Sequence, residues 1–73
     1  EMSFNQCSLG EILQSLERKF NVIIKPDKNL NLDSLYSLYI YKDDSIDDVM
    51  RLLTRTGDYS YRKSGNTILL IKQ

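Results

Sequence analysis

The sequence contains no histidine, no tryptophan, one cysteine and one proline, and its ten basic residues are matched by ten acidic ones. Each absence removes a class of function. Without histidine there is no Ser-His-Asp triad, no Cys-His pair and no His-based zinc site. The lone Cys7 has no disulfide partner within the chain. The cancelled charge takes away the electrostatic reason to expect nucleic acid or anionic lipid as the main partner, and the basic residues are interleaved with acids rather than gathered in a phosphate-tracking stripe. No apolar run approaches the roughly 20 residues that cross a bilayer, so this stretch itself is not expected to lie in a membrane.

What remains is one small domain. A chain of 73 residues buries only about 60% of its unfolded surface, which predicts a thin core and no deep cleft. It opens on a strand-like alternation rather than on an initiator Met, with no signal-peptide pattern. It therefore reads as a segment of a longer protein whose targeting signal or anchor lies elsewhere.

The clearest internal feature is a repeat. Ser8-Leu9-Gly10-Glu11-Ile12-Leu13 and Ser45-Ile46-Asp47-Asp48-Val49-Met50 carry matching chemistry 37 positions apart, and Leu16 and Arg18 match Leu53 and Arg55. In both copies a serine stands where a helix N-cap belongs, with an acid three residues later to complete a capping box, Asp48 being shorter than the preferred Glu. Leu9, Ile12, Leu13, Leu16 and Phe20 recur at the spacing of one helical face, as do Ile46, Val49, Met50 and Leu53. Cys7 is placed to act as a small apolar plug and staple against Ile12. Asn21 and Gly57 are natural helix stops.

Around the helices the pattern is β. Met2 to Asn5 alternates, Val22-Ile23-Ile24 is a short branched run stopped by Pro26, and 26–34 is a turn-rich connection with Leu30 or Leu32 tucked beneath it. Leu35 to Tyr41, Asp58 to Lys63 and Thr67 to Ile71 are further strands, the last two forming a hairpin about Ser64-Gly65-Asn66. The expected fold is α+β, ordered β-α-β-β-α-β-β: two βαβ-like repeats whose side-by-side helices pack on small sheets.

The facing of the third strand has two solutions. Equating Phe4 with Tyr41 through the repeat puts the tyrosines inside. A one-residue bulge in Lys42-Asp43-Asp44 instead turns Leu38 and Ile40 inward, which is favoured because Leu and Ile lose more by exposure.

No catalytic, metal or cofactor site emerges. Asp43, Asp44, Asp47 and Asp48 lack the glycine and ligand spacing of a calcium loop and suit a helix N-terminus instead. Five tyrosines all fall on strands, and exposed strand aromatics mark protein interfaces. Ile68-Leu69-Leu70-Ile71 is apolar on both faces, so it is either central in a sheet or covered by a partner, and at an edge it would invite an added strand. Tyr36, Tyr39, Tyr41, Ile68 and Leu70 are therefore the candidate partner-binding residues.

The capped Ser8–Leu13 helix with Leu16, Phe20-Asn21-Val22, the run from Ile40 to Val49 and Gly65-Asn66-Thr67-Ile68 resemble the secretin and TonB short N-terminal (STN) domain group. Within it the chain is most similar to the C-terminal domain of FecR-type anti-sigma factors as found in Bacteroidetes. That resemblance implies a periplasmic, non-enzymatic interaction domain of an inner-membrane-anchored protein. Its partners would be the N-terminal signalling domain of a TonB-dependent outer-membrane transporter and, through a cytoplasmic part outside these residues, a sigma factor. The transporter's own signalling domain and a structural N0-like secretin module are the alternatives. The family has no catalytic motif to transfer.

Overall fold

The computed structural model describes residues 2–55 and 58–73. Its elements are β1 (Met2–Ser8), α1 (Leu9–Phe20), β2 (Ile23–Pro26), β3 (Leu35–Ile40), α2 (Ile46–Leu53), β4 (Tyr59–Ser64) and β5 (Thr67–Lys72), in the expected order.

Both helices start as the local sequence dictates. The Glu11 N–H donates to Ser8 Oγ at 3.2 Å, and the Ser8 N–H donates back to Glu11 Oε1 at 3.3 Å. In the second box the shorter Asp48 reaches the Ser45 N–H at 2.9 Å, so the missing methylene costs no contact. The next two N–H groups of α1, on Leu9 and Gly10, donate to the loop carbonyls of Ser34 and Leu32 at 2.8 and 2.9 Å. The 27–34 connection therefore finishes the helix cap that the box begins. Asn21 closes α1 in the left-handed region at φ 54°. Thr54 caps α2, its hydroxyl donating to the Met50 carbonyl at 2.8 Å; the stop expected at Gly57 lies outside the described residues.

The strands form two small sheets. β1 and β3 pair antiparallel, while β5 lies between β2, to which it is parallel, and β4, to which it is antiparallel. The repeat equates β1 with β3 and β2 with β4. Antiparallel pairing within the first couple, and opposite directions within the second, are what a two-fold relation between the units requires. β5 has no counterpart and joins the units. It is the central strand, so its two edges are already occupied; Ile68 and Leu70 fill the core on one face, while Leu69 on the other face is 41% exposed. Pro26 ends β2 rather than preceding its end, a place open to proline on the flank of a sheet.

The inward row of β3 is Tyr36, Leu38 and Ile40, with Ile40 fully buried. The favoured facing is present, but the chain reaches it differently. The extra residue is absorbed by a turn in which the Asp44 N–H donates to the Tyr41 carbonyl at 3.1 Å. The bulge itself is in β1, where the register shifts between Phe4 and Cys7 and Gln6 takes φ 53°. Ser37 Oγ holds that bulge by accepting from the Gln6 N–H at 2.9 Å.

Leu9, Ile12, Leu13 and Leu16 of α1 and Ile46, Val49, Met50 and Leu53 of α2 meet Ile24, Ile40, Tyr59, Ile68 and Leu70 in one cluster. Leu30, Cys7 and Phe20 pack around it; Leu32 is exposed. α1 contacts both β1 and β2, and so touches both sheets.

A side-chain to backbone hydrogen bond ties α1 to β2. Glu17 Oε2 accepts from the Ile24 N–H at 2.8 Å in a partly buried setting. Hydrogen bonds to charged groups contribute about 1.5–3 kcal/mol. Glu17→Ala is therefore expected to lower the urea-unfolding free energy by about 2 kcal/mol, well beyond the loss for Glu11→Ala in the more exposed first cap.

Candidate functional site

Tyr39 and Tyr41 stand on the outer face of β3 and just beyond its end. Their rings meet edge to face, with centroids 4.7 Å apart and an interplanar angle of 71°. They remain 41% and 64% exposed. Leu35, on the same face of β3, is 58% exposed, and Leu52 of α2 is exposed across a shallow groove. Asp48, Val49 and Arg51 of α2, Arg55 just beyond its end, and Asp44 line the rest of that groove. An apolar strip with a charged border of both signs is the composition of a protein-docking face.

The other expected partner residues lie elsewhere. Ile68 and Leu70 have no exposed surface, because their side chains fill the core from the central strand. They have nothing to offer a partner of the folded domain. Tyr36 is on the inward row, half-buried against the core and beside Tyr59, so it does not share a face with Tyr39 and Tyr41. Leu35, Leu52 and Arg55 complete the strip without having been singled out. For Leu52 the signal was present: a leucine outside the buried stripe of its helix has no core to fill.

The acidic run is occupied by local structure. Asp44 Oδ2 accepts from the Tyr41 N–H at 2.7 Å, and Asp48 completes the cap of α2 and pairs with Arg51 at 2.6 Å. Asp47 lies 3.8 Å from the Lys63 amine and accepts from the Tyr61 hydroxyl at 3.5 Å. Among the described residues no set of three metal-ligating side chains converges.

Two groups titrate away from their ordinary values. Hydrogen bonds from the Ser45 backbone and hydroxyl, with Arg51 adding to them, hold the Asp48 carboxyl below 3.8. Burial pushes the Tyr59 phenol above 10, and the Tyr36 hydroxyl and Asp58 raise it further. The Tyr59 hydroxyl is buried with no partner in hydrogen-bonding geometry, Tyr36 included.

Residues 1–70 match the family profile described as FecR, C-terminal. The chain belongs to the FecR C-terminal domain family. Two crystal structures, each of a protein assigned as an anti-sigma factor from Parabacteroides distasonis ATCC 8503, superpose on it. One is 26% identical with a TM-score of 0.79, and the other 25% identical with a TM-score of 0.82. Each match covers 99% of this chain but only 34% and 33% of the other, so the chain spans about a third of those proteins. No curated protein matches. A FecR-type domain is regulatory in kind, and no helix among the described residues is long and apolar enough to cross a membrane.

Because the Asp48 carboxyl is depressed in the folded state, its contribution to stability is complete above the unfolded value of 3.8 and is lost as pH falls through the lower folded value. Asp48→Asn is expected to flatten the acid limb of the stability curve, measured by urea unfolding between pH 6 and 2.5. Tyr59 has the opposite sense: its proton is held more tightly folded than unfolded, so stability falls as pH rises above 10. Tyr59→Phe removes an unpartnered buried hydroxyl and is expected to leave stability at pH 7 unchanged or raised by up to about 1 kcal/mol, with a smaller loss at pH 10.5.

Proposed function

We propose that this domain is the periplasmic, signal-receiving part of a membrane-anchored FecR-type anti-sigma factor. The N-terminal signalling domain of a TonB-dependent outer-membrane transporter docks on it, and the effect passes along the chain to a sigma factor held by a cytoplasmic part outside these residues. The domain acts by binding, without catalysis and without a cofactor.

The observation that carries this reading is the exposed Tyr39–Tyr41 pair, with Leu52 across the groove and Leu35 further along the same face of β3. Tyrosine offers a large contact area for two rotatable bonds and a hydroxyl that stays wet until a partner arrives. Membership in the FecR C-terminal family and likeness to assigned anti-sigma factors supply the biological setting. The balance of charge agrees with a protein partner rather than a polyanion.

The test is a calorimetric titration of the domain with the signalling domain of the transporter encoded nearest to it. Wild type is expected to bind with micromolar affinity. The Tyr39→Ala/Tyr41→Ala double variant should bind at least tenfold more weakly, about 1.4 kcal/mol, with its amide spectrum still dispersed. Equal affinity in the folded double variant would overturn the reading.

A further inference from the structure

The two sheets present four outer edges: that of β2 is capped, that of β1 is broken by a bulge, and that of β4 is flanked by charge. In β2 the Ile23 and Asp27 N–H groups donate to the Asn66 and Leu70 carbonyls, so the alternation turns Ile24 and Pro26 outward. The Ile24 N–H is taken by Glu17, and Pro26 has none. In β1 the outer edge is interrupted by the Gln6 bulge and carries the polar Ser3 and Asn5. β4 turns Tyr59, Tyr61 and Lys63 outward, as the Gln73 N–H to Asp58 carbonyl bond requires, and its exposed Arg62 and Lys63 guard it with charge.

β3 is different. The Leu9 N–H donates to the Ser34 carbonyl, which makes Cys7–Tyr36 the next bonded pair and leaves the Leu35, Ser37 and Tyr39 backbones facing away from β1. Tyr41 continues the row, its N–H already held by Asp44. The open edge thus runs from Leu35 to Tyr39, about 14 Å of strand. Its outer face carries Leu35, Tyr39 and Tyr41, and the groove alongside it is floored by Val49 and Leu52 of α2.

We propose that the outer edge of β3 accepts an extended segment of a different protein as a third strand of the β1–β3 sheet. The inference rests on the reading of the domain as a protein-interaction module and adds how and where the contact is made. Backbone rungs at Leu35, Ser37 and Tyr39 set the register. Alternate side chains of the added strand fall on Leu52 on one side and on the Leu35–Tyr39–Tyr41 row on the other, so the segment is apolar at every second position. Arg55, at the rim of the groove, has no carboxylate partner among the described residues, and it selects a segment with an acidic flank. A second copy of the chain is the poorer occupant. Four exposed apolar side chains, Leu35, Tyr39, Tyr41 and Leu52, fall well short of the ~800 Å² per partner that a stable dimer of this chain would need.

The test is amide hydrogen exchange on the 73-residue chain alone, with the transporter signalling domain, and with a blocked peptide of alternating valine and threonine with glutamates at its ends. Protection of the Leu35, Ser37 and Tyr39 amides by at least tenfold in a complex supports the proposal. Leu35→Pro, which deletes a rung, should also weaken that complex at least tenfold beyond Leu35→Ala, which keeps it. If the proline variant fails to fold, the wild-type protection pattern still decides. Binding of the signalling domain without that protection overturns the edge proposal and leaves the functional reading standing. No binding of the signalling domain, with peptide binding and protection at the three amides, does the reverse. No binding of either probe overturns both. Concentration-dependent protection in the chain alone would identify a second copy as the occupant and overturn the heterologous assignment.

Discussion

Ile68 and Leu70 sit with no exposed surface on β5, the strand that hydrogen-bonds to β2 from the first unit and to β4 from the second. Both helices turn their apolar stripes towards the same cluster. With thirteen buried apolar side chains and no buried polar or charged residue among the described residues, the domain has little reserve, and two fully buried branched side chains on its joining strand carry a large share of it. The remaining features follow. Because β5 is central, the edges left over belong to β1, β2, β3 and β4, and the molecule's interaction chemistry is decided by how each is finished.

Those edges are finished by unrelated means: a carboxylate and a proline on β2, a bulge on β1, charge on β4. Each device has a structural purpose of its own. Glu17 ties α1 to the sheet, Gln6 absorbs a register step, and Lys63 lies near Asp47. On β3 the finish is partial, since Asp44 closes only the last rung. A small sheet with one open, apolar edge is a liability unless something covers it.

The acidic run between β3 and α2 shows how local chemistry and the exposed face are coupled. Asp44 fastens the turn that follows Tyr41, Asp48 starts α2, and Arg51 is held beside it. These bonds fix the turn on which Tyr41 stands and the helix that floors the groove. The tyrosine pair is thus presented by a rigid frame, which lowers the ordering cost of any contact made there.

Features set by neighbours within about four residues were legible in the sequence. The serine caps, the reciprocal acids at Glu11 and Asp48, the buried stripes and the Asn21 stop depend only on helical spacing and local hydrogen bonding. The hairpin about Gly65-Asn66 is equally local. Gly65 takes φ 59°, a conformation that an L side chain resists. The outward pair Tyr39 and Tyr41 was also within reach, given that Leu38 and Ile40 compete for the inside. What only the tertiary structure decided is non-local. An apolar strand such as β5 reads the same whether it is central or covered by a partner, and the choice depends on two strands more than forty positions and three positions away in sequence. It was this choice that moved Ile68 and Leu70 from candidate contacts into the core. The extra residue expected at 42–44 is taken up there, as a turn rather than a bulge, but the bulge at Gln6 and the capture of the Ile24 N–H by Glu17 had no sequence signal. Each is settled by which backbone groups come face to face once the chain has closed, and local propensity carries no information about that pairing.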